Sequence, residues 1–161
     1  MAWVALGMFA GTRPEETDQL TWPKIDLARS LIQMDAAASK VRHRRVIPLE
    51  PAAVGWLTRA RELEAQLPWE WEKRKHVQKC LRNSAGWERW WPDVLRHTAA
   101  SYLMAIHRDA GKVAHTLGNS PTILLTHYHE LVTPEQAAEF WAIRPNSMAG
   151  QPAQAAPAAR P

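Results

Sequence analysis

The chain has a single cysteine, Cys80, and only two tyrosines and two phenylalanines in 161 residues. One cysteine excludes an internal disulfide and a cysteine-based zinc site, and it fits a cytoplasmic chain. A long hydrophobic run is also missing. The apolar opening, "MAWVALGMFAG", is too short to cross a bilayer and has no basic stretch before it. That argues against a membrane span and a secretory leader, and the segment reads as a buried core helix. No internal repeat is visible. Charge of one sign is not extreme: the net charge is +4 and the pI about 9.6. This balance is compatible with a polyanionic partner without requiring one. Tryptophan is the abundant residue, with nine copies, and its large apolar area suits core and helix-packing positions.

At this length one domain is expected, large enough to bury a core. Trp3 to Phe9 reads as a helix stopping at Gly11. It starts at Met1 without a cap, which suggests a fragment or a start inside a larger architecture. In "TRPEET", Thr12 is the expected N-cap, followed by Pro14 and two early glutamates; Pro23 breaks this short helix. "SLIQMDA" and "RRVIPLE" read as strands of a β-hairpin or short meander, with a small basic connection between them and Pro48 closing the second. An amphipathic helix follows, with Val54, Leu57 and Leu63 on its apolar side. "PWEWEKRKHVQKCLRNSAGW" is another helix, basic in its second half.

Pro92 opens the next unit. "DVLRHTAASYLMAIH" predicts a helix with Leu95, Ala99, Tyr102, Leu103 and Ile106 near one face. A short helix ends at Gly118. Ser120 then Pro121, and Thr133 then Pro134, mark two more helix starts. The Trp90–Trp91 pair reads as a packing anchor. After Pro145 the chain is Ala/Pro-rich and reads as a disordered tail. The expected fold class is mainly α with a small antiparallel β-sheet (α+β).

Four residues form a candidate constellation: Arg13, Lys40, Arg96 and Tyr128. Two guanidiniums can hold the oxygens of a phosphodiester by forked, charge-assisted hydrogen bonds. A lysine can protonate a leaving sugar oxygen, and a tyrosine hydroxyl can attack phosphorus. With the arginines supplying electrostatic stabilisation, no metal is needed. Taken singly each residue has a plainer reading: Arg13 at a helix start, Lys40 in a solvated turn, Tyr128 in a core. Residue by residue, those plain readings win; what weighs against them is the resemblance to a known family, in which residues of these types occur together at this spacing.

"GTRPEETDQLTW" resembles the G-x-R-x-x-E signature of the tyrosine recombinases, or phage integrases. "KVRHRRVIPL" is similar to the family's hairpin, in which a catalytic lysine lies eight positions before the proline; here Lys40 stands eight before Pro48. "LRHTAAS" resembles the second-arginine box, and "LGNSPTILLTHY" the segment carrying the tyrosine. Asn119 lies 23 positions after Arg96 and nine before Tyr128, in step with the family's spacing. The resemblance runs over residues 3 to 132. It implies that Arg13 and Arg96 clamp the scissile phosphate, that Lys40 is the general acid, and that Tyr128 forms a 3′-phosphotyrosyl bond. Strand exchange would need neither ATP nor metal, and no cofactor is expected. Glu16 would orient Arg13. Residues 1–144 would form the catalytic domain, without the family's N-terminal DNA-clamping domain, and 145–161 the tail.

Two positions depart from the family. Asp93 stands where a histidine usually precedes the second arginine by three, and Asn119 where histidine or tryptophan usually follows Leu-Gly. Asp93 is read either as an acceptor for the Tyr128 proton or as an ion-pair partner for an arginine. Asn119 can donate one hydrogen bond to a phosphate oxygen but cannot be cationic. Together these changes lower the expected rate by roughly 10- to 1,000-fold, so the alternative function is a catalytically impaired DNA-binding remnant of a mobile-element integrase. The expected partner is double-stranded DNA, held by Arg42, Arg44, Lys73, Arg74, Lys75 and Lys79. Phe140 and Trp141 are plausible anchors for a C-terminal helix that packs either in cis or on a neighbouring protomer of a homo-oligomer. His115, His127 and His129 lack acidic or thiol companions at ligand spacing, so no metal site is expected. His97 is read as a helix-packing residue.

Overall fold

A computed structural model describes residues 1–35, 44–67, 70–128 and 131–146. Helix α1 (Ala2–Ala10) leads through a turn to the single-turn α2 (Pro14–Thr17). After a 3-10 turn at Trp22–Lys24 come β1 (Ile25–Asp26), β2 (Leu31–Met34) and β3 (Arg45–Pro48). The rest is helical: α3 (Pro51–Glu62), α4 (Trp71–Ser84), α5 (Val94–His107), α6 (Ala110–Leu117), α7 (Pro121–Tyr128) and α8 (Pro134–Ala142). The expected mainly α fold with a small antiparallel sheet is what the structure has.

The sheet order is β1-β2-β3, antiparallel throughout, with Ile32 opposite both Ile25 and Ile47. The strand β1 is an addition to the two strands expected. Pro48 sits in β3, an outer strand of the sheet, where a missing N–H is tolerated. One inward face of the sheet (Ile25, Ile32, Met34, Ile47) closes a core with α1, α3 and Phe140 of α8. A second core joins α5, α6 and α7 through Leu103, Met104, Val113, Leu117 and Leu124. Helix α5 packs against α1 on one side and against α6 and α7 on the other. It therefore fixes one half of the molecule to the other.

Helix α1 is buried along most of its length, as its sequence predicts. The apolar faces of α3 and α5 are narrower than the apolar residues suggested. Leu63 and Ile106 are exposed, and small residues (Ala52, Ala53, Ala60, Ala99, Ala100) take the buried positions. Small side chains let these helices approach closely. Phe140 and Trp141 pack in cis: Phe140 stacks on Tyr102 at 3.9 Å between ring centres, and the Trp141 indole donates to the Tyr102 carbonyl at 3.2 Å. Trp91 is not a packing anchor, because it lies half exposed with the Arg89 guanidinium 3.7 Å above its ring centre. Among the described residues no helix is long and apolar enough to cross a membrane.

Gly11 ends α1 in the left-handed conformation, φ 68°, and a Cβ there would lie 2.2 Å from the buried Leu117 side chain. Both backbone sign and space demand glycine. Gly11→Ala should destabilise the fold by about 2–4 kcal/mol, combining the left-handed penalty with overpacking. A lowered denaturation midpoint checks this; an unchanged midpoint would contradict the close contact.

Candidate active site

The turn after α1 delivers the first arginine. Thr12 does not cap α2 as expected. Its hydroxyl is buried against that of Thr17 at 2.6 Å, and the Arg13 backbone takes the capping position. There the Glu16 carboxylate accepts the Arg13 N–H at 2.9 Å and the Arg13 guanidinium at 3.1 Å. Pro14 at the first helical position fits the same geometry. Glu16 is 1% exposed and also accepts from Arg45 at 2.8 Å. Arg45 in turn donates through Nε to the Thr116 carbonyl at 3.2 Å. Glu16 thus orients Arg13, and Arg45 holds Glu16. Burial pushes the Glu16 carboxyl up, but the hydrogen bond from Arg45, the Arg13 backbone N–H and both guanidinium charges bring it below the usual range.

Helix α5 delivers the second arginine from its first turn. Arg96 is 6% exposed. Its guanidinium donates to the Gly11 carbonyl, to the Leu117 carbonyl at 2.6 Å and to Asn119 Oδ1 at 3.0 Å. Arg13 donates to the Gly118 carbonyl at 3.1 Å and to the same Asn119 Oδ1 at 2.9 Å. Two guanidiniums from distant parts of the sequence therefore meet on one oxygen. The carbonyls are available because α6 ends at Gly118, φ 65°, where the chain turns away from the helix. A Cβ on Gly118 would lie 3.2 Å from the Arg45 guanidinium. Burial first, then the nearby Arg13 charge, lowers the Arg96 pKa to about 10.

The tyrosine ends α7, whose start is capped by Ser120: its hydroxyl accepts the Ile123 N–H at 3.3 Å. Tyr128 is half-buried against the α5–α6–α7 core. Its hydroxyl is hydrogen-bonded to His97 Nδ1, and the two rings stack at 5.7 Å between centres. Burial raises the phenol above its ordinary pKa; the Arg96 charge opposes this and the Asp93 charge adds to it. Asp93 itself sits at the N-cap of α5 in a left-handed conformation, φ 53°. Its side chain caps nothing there, so it reaches the site through its charge.

The structure brings together Arg13, Arg96 and Asn119 in contact, and Tyr128 and Asp93 within their field. Lys40 and Arg42 lie outside the described residues. Of the expected DNA contacts, Arg44, Lys73, Lys75 and Lys79 are exposed, and Lys73 pairs with Glu70 at 3.4 Å. Arg74 is a correction: it is 8% exposed and its guanidinium grips Asp18 at 2.5 Å. Helical geometry turns it to the face opposite its solvated neighbours, where it ties α4 to the end of α2. His97 is a second correction, since it is exposed and touches the tyrosine instead of packing between helices. Arg45 was missed, although strand alternation puts it on the same inward face as Ile47. Among the described residues no group of three or more potential metal ligands is found.

Among solved structures the fold is similar to that of XerA recombinase, with a TM-score of 0.65 and 19% identity over 87% of this chain and 56% of that one. It is also similar to the Tn1549 transposon integrase in complex with transposon right end DNA, with a TM-score of 0.55, 16% identity and coverage of 86% and 56%. The fold is that of a tyrosine recombinase catalytic domain. The same integrase in complex with circular intermediate DNA matches with a TM-score of 0.51 and 18% identity, over 86% of this chain and 55% of the other. The chain thus spans a little over half the length of the structures it matches. No protein-family model and no curated protein matches the sequence.

In this fold the Glu16 bridge should be a stability element with a defined pH dependence. Its carboxyl is more acidic folded than unfolded, so its contribution is present above the unfolded value, near 4.5, and is lost as pH falls through the lower folded value. Glu16→Gln should cost on the order of 3 kcal/mol at pH 7, because it removes the buried carboxylate charge that two guanidiniums share. In denaturation curves that gap should shrink below about pH 4. A gap independent of pH would contradict the ionised bridge.

Proposed function

We propose that this chain is the catalytic part of a site-specific DNA recombinase that breaks and rejoins DNA through a 3′-phosphotyrosyl bond at Tyr128. The observation that carries the reading is the shared oxygen. Arg13 and Arg96 both donate to Asn119 Oδ1, at 2.9 and 3.0 Å, so an acceptor oxygen already occupies the place where a phosphate oxygen would receive both guanidiniums. With the Asn119 side chain turned aside, a scissile phosphate takes its place, held by charge-assisted bonds aimed at the charge that grows during attack. The Tyr128 oxygen attacks phosphorus, the bond to the 5′ oxygen breaks, and Lys40 supplies that oxygen's proton. The phosphoester energy stays in the new bond, so a second 5′-hydroxyl can reverse the step. Integration of mobile DNA is the setting that the transposon integrase likeness supports.

The same shared oxygen favours a second reading. Both arginines are satisfied without a ligand, and Asp93 adds a carboxylate to the phenol's surroundings. That would suit an impaired DNA-binding remnant. One experiment separates the two. A library of nicked duplexes, randomised around the nick so that cleavage is trapped, is incubated with the protein and resolved on a denaturing gel. A covalent adduct lost in Tyr128→Phe, and reduced about 100- to 1,000-fold in Arg13→Ala, supports the enzyme. An adduct appearing only after Asp93→His with Asn119→His supports the remnant, and an adduct that survives Tyr128→Phe overturns the nucleophile.

DNA is taken to lie across Arg44, Lys73, Lys75 and Lys79, which are exposed on the β3 end and on α4. Lys73→Ala and Lys79→Ala should each weaken binding to unrelated duplexes alike. Each should reduce the slope of log affinity against log salt by about 0.9. A slope unchanged in both variants would remove α4 from the interface. Assembly of a homo-oligomer on DNA through the C-terminal helix belongs to the same reading. With Phe140 and Trp141 engaged in the chain's own core, α8 would offer its exposed side.

A further inference from the structure

Tyr128 must lose a proton to attack phosphorus, and the residue types of the resemblance leave open where that proton goes. Asp93 stands at the expected position, yet it reaches Tyr128 only as a charge, and that charge holds the proton on. The hydroxyl has a direct partner elsewhere. His97, next to Arg96 on α5, places Nδ1 on the Tyr128 oxygen and stacks its ring on the phenol at 27° between planes. We propose that His97 is the general base of the cleavage step, taking the Tyr128 proton directly through Nδ1.

The step balances without any further reagent. With the imidazole proton on Nε2, Nδ1 accepts the hydrogen bond. As the Tyr128 oxygen bonds to phosphorus, its proton passes to Nδ1 and the ring becomes an imidazolium. The bond from phosphorus to the 5′ oxygen breaks, and that oxygen takes a proton from Lys40. Religation runs the transfers backward, with the imidazolium returning its proton to the phenolic oxygen. As a class, an imidazole is a stronger base than a carboxylate, so it is a better match for a phenol. Exposure of His97 leaves room for the ring and its charge to be solvated after transfer. Among the described residues, the charged and titratable groups around the pair include Asp93 and Arg96, whose charges act on the phenol, and His127, whose ring meets Tyr128 edge-on. Arg108, at the end of α5, lines the same hollow as Tyr128; His129 lies outside the described residues. His127 contacts the phenol ring and not its hydroxyl, which separates its role from that of His97.

The proposal rests on the phosphotyrosine reading, and its test tells the two apart. Single-turnover adduct formation on the trapped nicked library is followed against pH for the natural protein, His97→Ala, His97→Gln and His127→Ala. His97→Ala should slow adduct formation about 100-fold and remove the one-proton acidic limb of the profile. Added imidazole should restore the rate in His97→Ala but not in Tyr128→Phe. His97→Gln, which can accept the hydrogen bond but not the proton, should stay slow, while His127→Ala keeps the acidic limb. A natural protein that forms no adduct overturns both readings. An adduct formed at the natural rate and pH profile by His97→Ala, or rescue of neither rate nor limb by imidazole, overturns His97 alone. Because His97 is exposed, the fold should survive; nitrogen shifts of the His97 ring that do not change in Tyr128→Phe would also refute the contact.

Discussion

Three guanidiniums, from Arg13, Arg45 and Arg96, crowd around one buried carboxylate, that of Glu16. The cluster carries two more positive than negative charges, in a region largely withdrawn from water. Backbone carbonyls of Gly11, Thr116, Leu117 and Gly118, together with Asn119 Oδ1, accept the surplus donors. Dipoles soften such an excess but do not cancel it. Burial first, and then the neighbouring Arg13 and Arg45 charges, bring the Arg96 pKa down to about 10. A dianionic oxygen group entering the cluster would remove the imbalance, and a monoanionic one, such as a phosphodiester, would halve it. The arrangement is therefore stable enough to fold and suits the anion proposed for it.

The supporting elements follow from this need. Arginines at the end of one helix's turn and the start of another cannot meet unless both helices are fixed. Helix α5 does this by touching α1 and the α6–α7 pair through small and aliphatic residues. The two left-handed glycines, Gly11 and Gly118, turn carbonyls toward Arg96 and Arg13 that regular helix would have consumed. Thr12 and Thr17 are committed to one another beneath the turn, which keeps the Arg13 backbone in the extended conformation that exposes its N–H to Glu16.

Much of this was readable because it rests on local signals. Proline at first helical positions, glycine at helix ends and the order of Arg13, Arg96, Asn119 and Tyr128 are visible in the sequence. Glu16 as the orienting partner was legible from a three-residue spacing. What could not be read depends on how one helix faces another. His97 meets Tyr128 only because α5 and α7 pack at a particular angle, and helical periodicity on α5 alone makes it an outward residue. Arg74 sits in a basic run that composition assigns to solvent, yet Asp18, 56 positions away, draws it inward. The strand's two-residue alternation turns Arg45 inward, but an arginine on an inward face needs a buried acid, and the local spacing pairs Glu16 with Arg13 alone.

The chemistry proposed for Tyr128 bears on the same excess charge. Before any anion binds, the Arg96 charge favours loss of the phenol proton while burial and Asp93 oppose it, and the opposition wins. A phosphate bound as proposed would offset the Arg96 charge that favours the phenolate. The proton would then be harder to lose at the proposed step. A group in contact with the phenolic oxygen is not weakened in that way. An imidazole on the hydroxyl, as proposed for His97, acts by contact and not through the arginines, and it adds no negative charge to repel the phosphate. Asp93 would add one. The departure at position 93 is thus tolerable in a working site only if the base lies elsewhere, one helical turn on, at His97.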